Sequence, residues 1–63
     1  MCLSTVMQYT DSPENAEEVC SNISSFEVNG NAITFTDLLG EEYVVEGAIT
    51  KVDFVKSRIY VTI

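Results

Sequence analysis

The sequence predicts an all-β fold, a small antiparallel β-barrel of five or six short strands, of the size of an SH3-like or OB-like domain. The first observation is that 19 of the 63 residues are Val, Ile or Thr, whose branched Cβ atoms favour strands. The second is that apolar residues alternate with polar ones in short runs separated by turn residues. The third is that this alternation changes phase twice, as it does where strands bend at barrel corners.

The first strand is predicted over residues 3–9, where apolar and small polar residues mix. A polar insert follows at residues 10–18, with four acids and no base. Pro13 directly follows Ser12, a pairing that suits a turn or the first turn of a short helix. We interpret the insert as a solvated acidic loop, because nothing in its spacing specifies a carboxylate metal site.

The two phase changes predict two β-bulges. Apolar side chains occupy odd positions up to Ile23 and even positions from Phe26, and the same change separates Ile49 from Val52. Side chains alternate strictly between the two faces of a strand, so one extra residue between each pair is needed to keep both apolar residues on one face.

The central hairpin is predicted from the Asn-Gly pair at residues 29–30, a strong two-residue turn motif. This turn would place Phe26 opposite Ile33 and join two apolar side chains on one face. The returning strand covers residues 32–37, with Ile33 and Phe35 pointing inward.

The C-terminal half is predicted to form another strand over residues 41–47 and then a second hairpin. Gly47 marks a bend, because glycine weakens a strand except where tight curvature is needed. A turn at residues 56–57 would place Phe54 opposite Ile59. We expect residues 1–63 to form a single small domain.

Composition restricts the function. Ten acids and three bases give a net charge of −7, and there is no histidine. Catalysis or metal binding by imidazole is therefore excluded, and binding to a phosphate backbone, which depends on Lys and Arg, is not expected. No nucleophile has a base beside it in the sequence, so we do not expect an enzyme.

The two cysteines, Cys2 and Cys20, are too few for a disulfide framework. The first residues lack a basic, apolar leader, and no run approaches the ~20 apolar residues of a membrane span. We therefore predict a cytoplasmic protein with reduced thiols and no membrane contact. Because so short a chain builds only a small core, self-association is expected to reinforce it.

Cys2 is the candidate metal ligand. If the initiator methionine is removed, Cys2 offers an α-amine and a thiolate on adjacent carbons, which can close a five-membered chelate around one ion. A planar nitrogen and sulfur donor set suits Ni(II) or Cu(II), whereas thiolate also suits Zn(II) and Cu(I). Cys20 is interpreted as a buried or half-buried small residue on a strand.

Several stretches together resemble one family. They are Met-Cys-Leu-Ser-Thr-Val at 1–6, Ile-Ser-Ser-Phe-Glu-Val-Asn-Gly-Asn-Ala-Ile-Thr at 23–34, Asp-Leu-Leu-Gly-Glu-Glu at 37–42, and Gly-Ala-Ile-Thr-Lys-Val-Asp-Phe-Val at 47–55 followed by Arg58 and Ile59. The sequence thus resembles the CooT family of small nickel-binding proteins, with residues 10–18 as the variable part. The resemblance implies a homodimer that binds Ni(II) through Cys2 and assists maturation of a nickel enzyme such as carbon monoxide dehydrogenase.

Two alternatives remain open. One is an RNA-binding module, a description also attached to the CooT family, in which Lys51, Lys56, Arg58 and the nearby Tyr60 would contact the nucleic acid. The other is a protein-interaction domain whose acidic residues, such as those at 41–42, steer a basic partner. Three bases within a chain of net charge −7 argue against the first.

Overall fold

The computed structural model describes residues 3–63. They form six strands and one short 3₁₀ helix, with bounds β1 (Ser4–Tyr9), 3₁₀ helix (Pro13–Asn15), β2 (Glu17–Asn29), β3 (Ala32–Asp37), β4 (Glu42–Glu46), β5 (Ala48–Asp53) and β6 (Arg58–Thr62). The all-β prediction is confirmed. The acidic insert begins as a turn with Pro13 at the start of the 3₁₀ helix, as its sequence indicated, but its last two residues, Glu17 and Glu18, already belong to β2.

The six strands form one mixed sheet in the order β4-β3-β2-β1-β6-β5. The prediction of a purely antiparallel sheet is wrong at one pairing, because β1 and β6 run parallel, with Val6 beside Ile59 and Gln8 beside Val61. Parallel neighbours need a long crossover connection, and here the chain from β2 to β5 supplies it. The last strand thereby holds the first strand on the side that β2 leaves free.

The sheet is not closed into a barrel, which corrects the predicted architecture. β4 and β5 lie at opposite ends of the strand order and do not pair with each other within residues 3–63. Yet only Gly47 separates them in the sequence, so the sheet must curl until its two ends meet at this residue. The Gly47 amide donates to the Asn31 carbonyl at 2.8 Å. The bend predicted at Gly47 is thus the corner of an open, curled sheet.

Both predicted bulges are present. On β2 the pairing with β3 shifts between Ile23 and Ser25, and the Ser24 hydroxyl donates to the Thr36 carbonyl at 3.2 Å. On β5 the pairing with β6 shifts between Ile49 and Lys51. The pairing of β2 with β1 is also irregular, close to Asn22, whose φ of 58° is left-handed.

The β2–β3 hairpin differs from its predicted register. The turn consists of Gly30 and Asn31, so Phe26 lies opposite Phe35 rather than Ile33. Gly30 takes the first central position with φ 60°, the conformation that glycine provides in a type II′ turn. The rings of Phe26 and Phe35 pack at a tilt, with centroids 5.9 Å apart.

The β5–β6 hairpin is also shifted. Its loop spans residues 54–57, and Val52, not Phe54, lies opposite Ile59. The reason is Asp53, whose carboxylate accepts hydrogen bonds from the amides of Val55 and Lys56 and so builds a longer turn. Phe54 consequently lies outside the strand pairing.

The core lies inside the curled sheet and contains eight buried apolar side chains: Val6, Cys20, Ile23, Ile33, Phe35, Val45, Ile59 and Val61. The predicted inward positions of Ile33 and Phe35 are confirmed. Tyr43, Ile49 and Val52 pack around its edge. Within residues 3–63 no helix is long and apolar enough to cross a membrane.

Candidate functional site

The predicted metal ligand, Cys2, lies outside the described residues. The first described strand after it in the sequence is β1, which begins two residues later at Ser4. The start of β1 is fixed on two sides, because Ser4 pairs with Ile23 of β2 and the Thr5 amide donates to the Ser57 carbonyl at 2.9 Å. The start of β1 is therefore anchored on both sides.

Cys20 is a core residue. It lies on β2 opposite Val6, is buried, and forms no disulfide. Loss of solvent around the thiol raises its pKa, and the negative charges of Asp37 and Glu18 raise it further. A thiol must lose its proton to bind a metal, so this environment makes Cys20 a poor ligand. The prediction that Cys20 is a small buried residue is confirmed.

The raised pKa of Cys20 predicts low reactivity. In a Cys2→Ala variant we expect the remaining thiol to react with Ellman's reagent at pH 8 about tenfold more slowly in the native protein than in denaturant, because burial and a small thiolate fraction both slow attack. The measurement is the absorbance time course with and without urea. Equal rates in the two conditions would show that Cys20 is accessible.

One carboxylate of the acidic insert, that of Asp11, stabilises a turn. One oxygen of Asp11 accepts from the Ser12 amide at 2.7 Å, and the other accepts from the Asn15 side-chain amide at 2.9 Å. The hydrogen bond from Asn15, followed by that from Ser12, holds the pKa of Asp11 below its usual value. The interpretation of residues 10–18 as a loop is correct up to Ala16, whereas Glu17 and Glu18 belong to β2 and pair with β1.

A second carboxylate closes the turn between β3 and β4. Asp37 accepts hydrogen bonds from the amides of Leu39 and Glu41, both at 2.9 Å, and from the Tyr43 hydroxyl at 3.1 Å. Partial desolvation acts to raise the pKa of Asp37, but these hydrogen bonds outweigh it and the pKa is lowered. The same contact with Asp37 raises the pKa of Tyr43 to about 12.

No group of three or more Cys, Asp or Glu side chains within residues 3–63 could hold a metal ion. The carboxylates of Asp11 and Asp37 are both engaged in turns.

An apolar groove opens beside the start of β1. It has a volume of about 340 Å³ and is lined by Ser4, Ile23, Ser24, Ser25, Phe26, Val52, Phe54 and Ile59. One wall is the bulged part of β2, and the other is the β5–β6 hairpin. The sequence did not predict this groove, because its walls come from distant segments and Phe54 was placed in a strand.

The basic residues lie on the β5–β6 hairpin, as their positions in the sequence required. Lys51 faces Tyr60 across the two strands, with its ammonium nitrogen 5.7 Å from the ring centroid. This is a cation–π contact within the hairpin. In the RNA-binding alternative the ring of Tyr60 would stack on a base. Lys51 already lies over that ring.

Fold and site together define a class: a small all-β protein with an open curled sheet, an apolar groove beside its N-terminal strand, and no complete metal site within residues 3–63. The family model for "CO dehydrogenase accessory protein CooT" matches residues 1–62. The chain belongs to the CooT family, as its sequence resemblance suggested.

A solved structure supports the fold. The crystal structure of "putative CooT from Carboxydothermus hydrogenoformans" superposes with a TM-score of 0.82, at 13% sequence identity, over 97% of this chain and 95% of that one. Identity at this level establishes a shared fold only. No curated protein matches the sequence.

Proposed function

We propose that this protein binds Ni(II) as cargo at Cys2 and assists maturation of a nickel-containing CO dehydrogenase, without being an enzyme itself. The observation that carries the proposal is the match to a family of CO dehydrogenase accessory proteins over residues 1–62, a range that includes Cys2. The protein's task would be to hold the ion in an exchangeable site until the client receives it.

The chemistry of the donor set fits this ion. A terminal Cys2 supplies a thiolate and an α-amine, and nitrogen with sulfur donors suits Ni(II). A metal ion can displace the protons of both groups, because binding favours their deprotonated forms. The lack of histidine and the buried, proton-retaining Cys20 leave no better soft ligand in the chain.

We further propose that two copies associate and share one Ni(II). Phe26 and Val28 lie opposite the core residues Phe35 and Ile33, yet both remain substantially exposed at the open side of the curled sheet. Burying such side chains against a second copy would extend a core of only eight residues. A shared ion would also receive sulfur donors from two Cys2 residues.

Native mass spectrometry of the untagged protein tests the proposal in one experiment. We expect a chain that lacks Met1, a dimer, and one Ni(II) per dimer after titration. A form with extra residues before Cys2 is the control, because its amine lies on another residue and the chelate is lost. Retention of Met1 with undiminished nickel binding, or equal binding in the extended form, would contradict the proposal.

RNA binding remains the alternative, with Lys51, Lys56 and Arg58 as its contacts. The affinity of a protein for nucleic acid, and its dependence on salt, grow with the number of phosphate contacts. Three bases allow few such contacts. Filter binding of a single-stranded RNA at low salt separates the two functions. We expect no retention there, and retention that falls in a Lys51→Gln variant would favour RNA.

A further inference from the structure

We propose that the β5–β6 loop, residues 54–57, is a docking element for a client protein whose surface offers an apolar pocket rimmed by carboxylates. The inference rests on the proposed function, because the client is taken to be the CO dehydrogenase that receives nickel. It adds a surface and a recognition chemistry to that function.

The loop exposes two adjacent apolar side chains. Phe54 is 86% exposed and Val55 is 95% exposed. Removing such side chains from water is favourable, because burial of apolar surface drives most protein–protein association. Aromatic anchors that enter a pocket on the partner are typical of the residues that dominate binding energy.

The loop is held in one conformation. One carboxylate oxygen of Asp53 accepts from the amides of Val55 and Lys56, each at 3.0 Å, and these bonds lower the pKa of Asp53. Ser57 takes a left-handed φ of 54°, and its carbonyl accepts from the Thr5 amide of β1. A loop ordered before binding loses less conformational entropy when a partner attaches.

Charge indicates the nature of the partner. The hairpin from β5 to β6 carries all three bases of the chain and one acid, whereas the rest of the chain carries nine acids and no base. Lys56 lies in the loop and Arg58 directly follows it. An apolar tip flanked by positive charges complements an apolar pocket with a negative rim.

The loop also lies near the start of β1. Phe54 and Ser4 line the same groove, and Cys2 precedes Ser4 by two residues, which span at most about 7 Å. A client bound to the loop would therefore lie beside the start of β1, the strand that follows the proposed ligand Cys2 in the sequence.

A second copy of this chain is a weaker candidate for the loop tip than for the exposed Phe26 and Val28 of β2. In a two-fold dimer the same patch lies on both sides of the axis. A loop at the centre of such an interface would bring Lys56 and Arg58 towards the same bases of the other copy. An acidic client avoids this repulsion.

The test measures binding of the nickel-free CO dehydrogenase from the same organism to the full-length untagged protein by biolayer interferometry. We expect a Phe54→Ser/Val55→Ser variant to bind at least 30-fold more weakly, because both anchors are lost. The matched control is Leu38→Ser/Leu39→Ser, since Leu39 is 84% exposed in another loop with acidic neighbours. The control should bind like the wild type, and circular dichroism verifies that both variants fold.

Further measurements separate this proposal from the proposed function. The loop variant should keep wild-type Ni(II) affinity, and Cys2→Ala should keep wild-type docking. The docking site would be overturned if the two double variants weakened client binding equally, or if the wild type did not bind the client. The Ni(II) titration tests nickel binding separately. If the loop variant changed its oligomeric state, the loop would instead contact a second copy of this chain. If the protein bound phosphatidylserine vesicles in a way that depends on Phe54, the loop would instead contact a membrane. Either result would also overturn the proposal.

Discussion

Replacing Cys2 with alanine is expected to lower the affinity for Ni(II) by more than about 100-fold. Removing a residue that hydrogen-bonds to a metal ligand typically lowers metal affinity about 10- to 100-fold. Here the thiolate ligand itself is removed, so the loss should be larger. Within residues 3–63 no cluster of side chains can replace it. Isothermal titration of the untagged protein with Ni(II) measures the effect, and the N-terminal sequence of each sample verifies that Met1 is absent.

The control for this substitution is Cys20→Ala. Cys20 is buried and its pKa is raised, so its removal should leave Ni(II) affinity unchanged apart from a modest loss of stability. Nickel absorption bands from thiolate-to-metal charge transfer should likewise vanish in the Cys2 variant and persist in the Cys20 variant. Wild-type affinity in Cys2→Ala would remove the proposed site, and loss of affinity in Cys20→Ala would transfer it to the core.

The local features of the fold could be predicted because they depend on side-chain periodicity. The change from odd Ile23 to even Phe26 required an extra residue in β2, and the structure has its bulge there. The same reasoning found the bulge between Ile49 and Lys51 of β5. A buried face fixes these positions, since one inserted residue would otherwise turn every later side chain to the wrong side.

Hairpin register could not be predicted in the same way. In both hairpins the true pairing differs from the predicted one by two positions, so that Phe26 lies opposite Phe35 instead of Ile33. A two-residue shift leaves every side chain on its original face, and the apolar pattern is satisfied equally well by both registers. The choice is made by turn chemistry: by Gly30 in the first hairpin and by the Asp53 carboxylate in the second.

The openness of the sheet and the parallel pairing of β1 with β6 were missed for a different reason. Both depend on which distant strands lie side by side, and the alternation within a strand carries no record of its neighbours. The groove is missed with them, since its walls come from β2 and the β5–β6 hairpin. One clue was available: Phe54 and Val55 are adjacent apolar residues directly after an Asx-turn residue, Asp53, and adjacent residues on a strand cannot both face the core.

Gly47→Ala is expected to destabilise the protein by about 3 kcal/mol or more, at the upper end of what overpacking costs. A Cβ atom at this position would collide with the backbone carbonyl oxygen of Thr62 and press on the Ile63 side chain. The collision is hard to relieve, because Thr62 pairs with Tyr9 on one side and Ala48 on the other. The corner at which the two ends of the sheet meet would have to open.

Urea denaturation of Gly47→Ala and of Gly40→Ala compares two causes of instability. The first variant introduces a steric collision, and the second introduces only backbone strain. Gly40 has a left-handed φ of 87°, but nothing lies near a Cβ atom added there. Gly40→Ala should therefore lower the free energy of unfolding by only about 1–2 kcal/mol, the strain of an alanine in that backbone conformation. We expect the larger loss in Gly47→Ala, seen as a lower midpoint at unchanged slope. If Gly47→Ala proved no less stable than Gly40→Ala, the close approach of β4's end to β6 would be wrong. The curled sheet would then have to be held by its strand pairings alone.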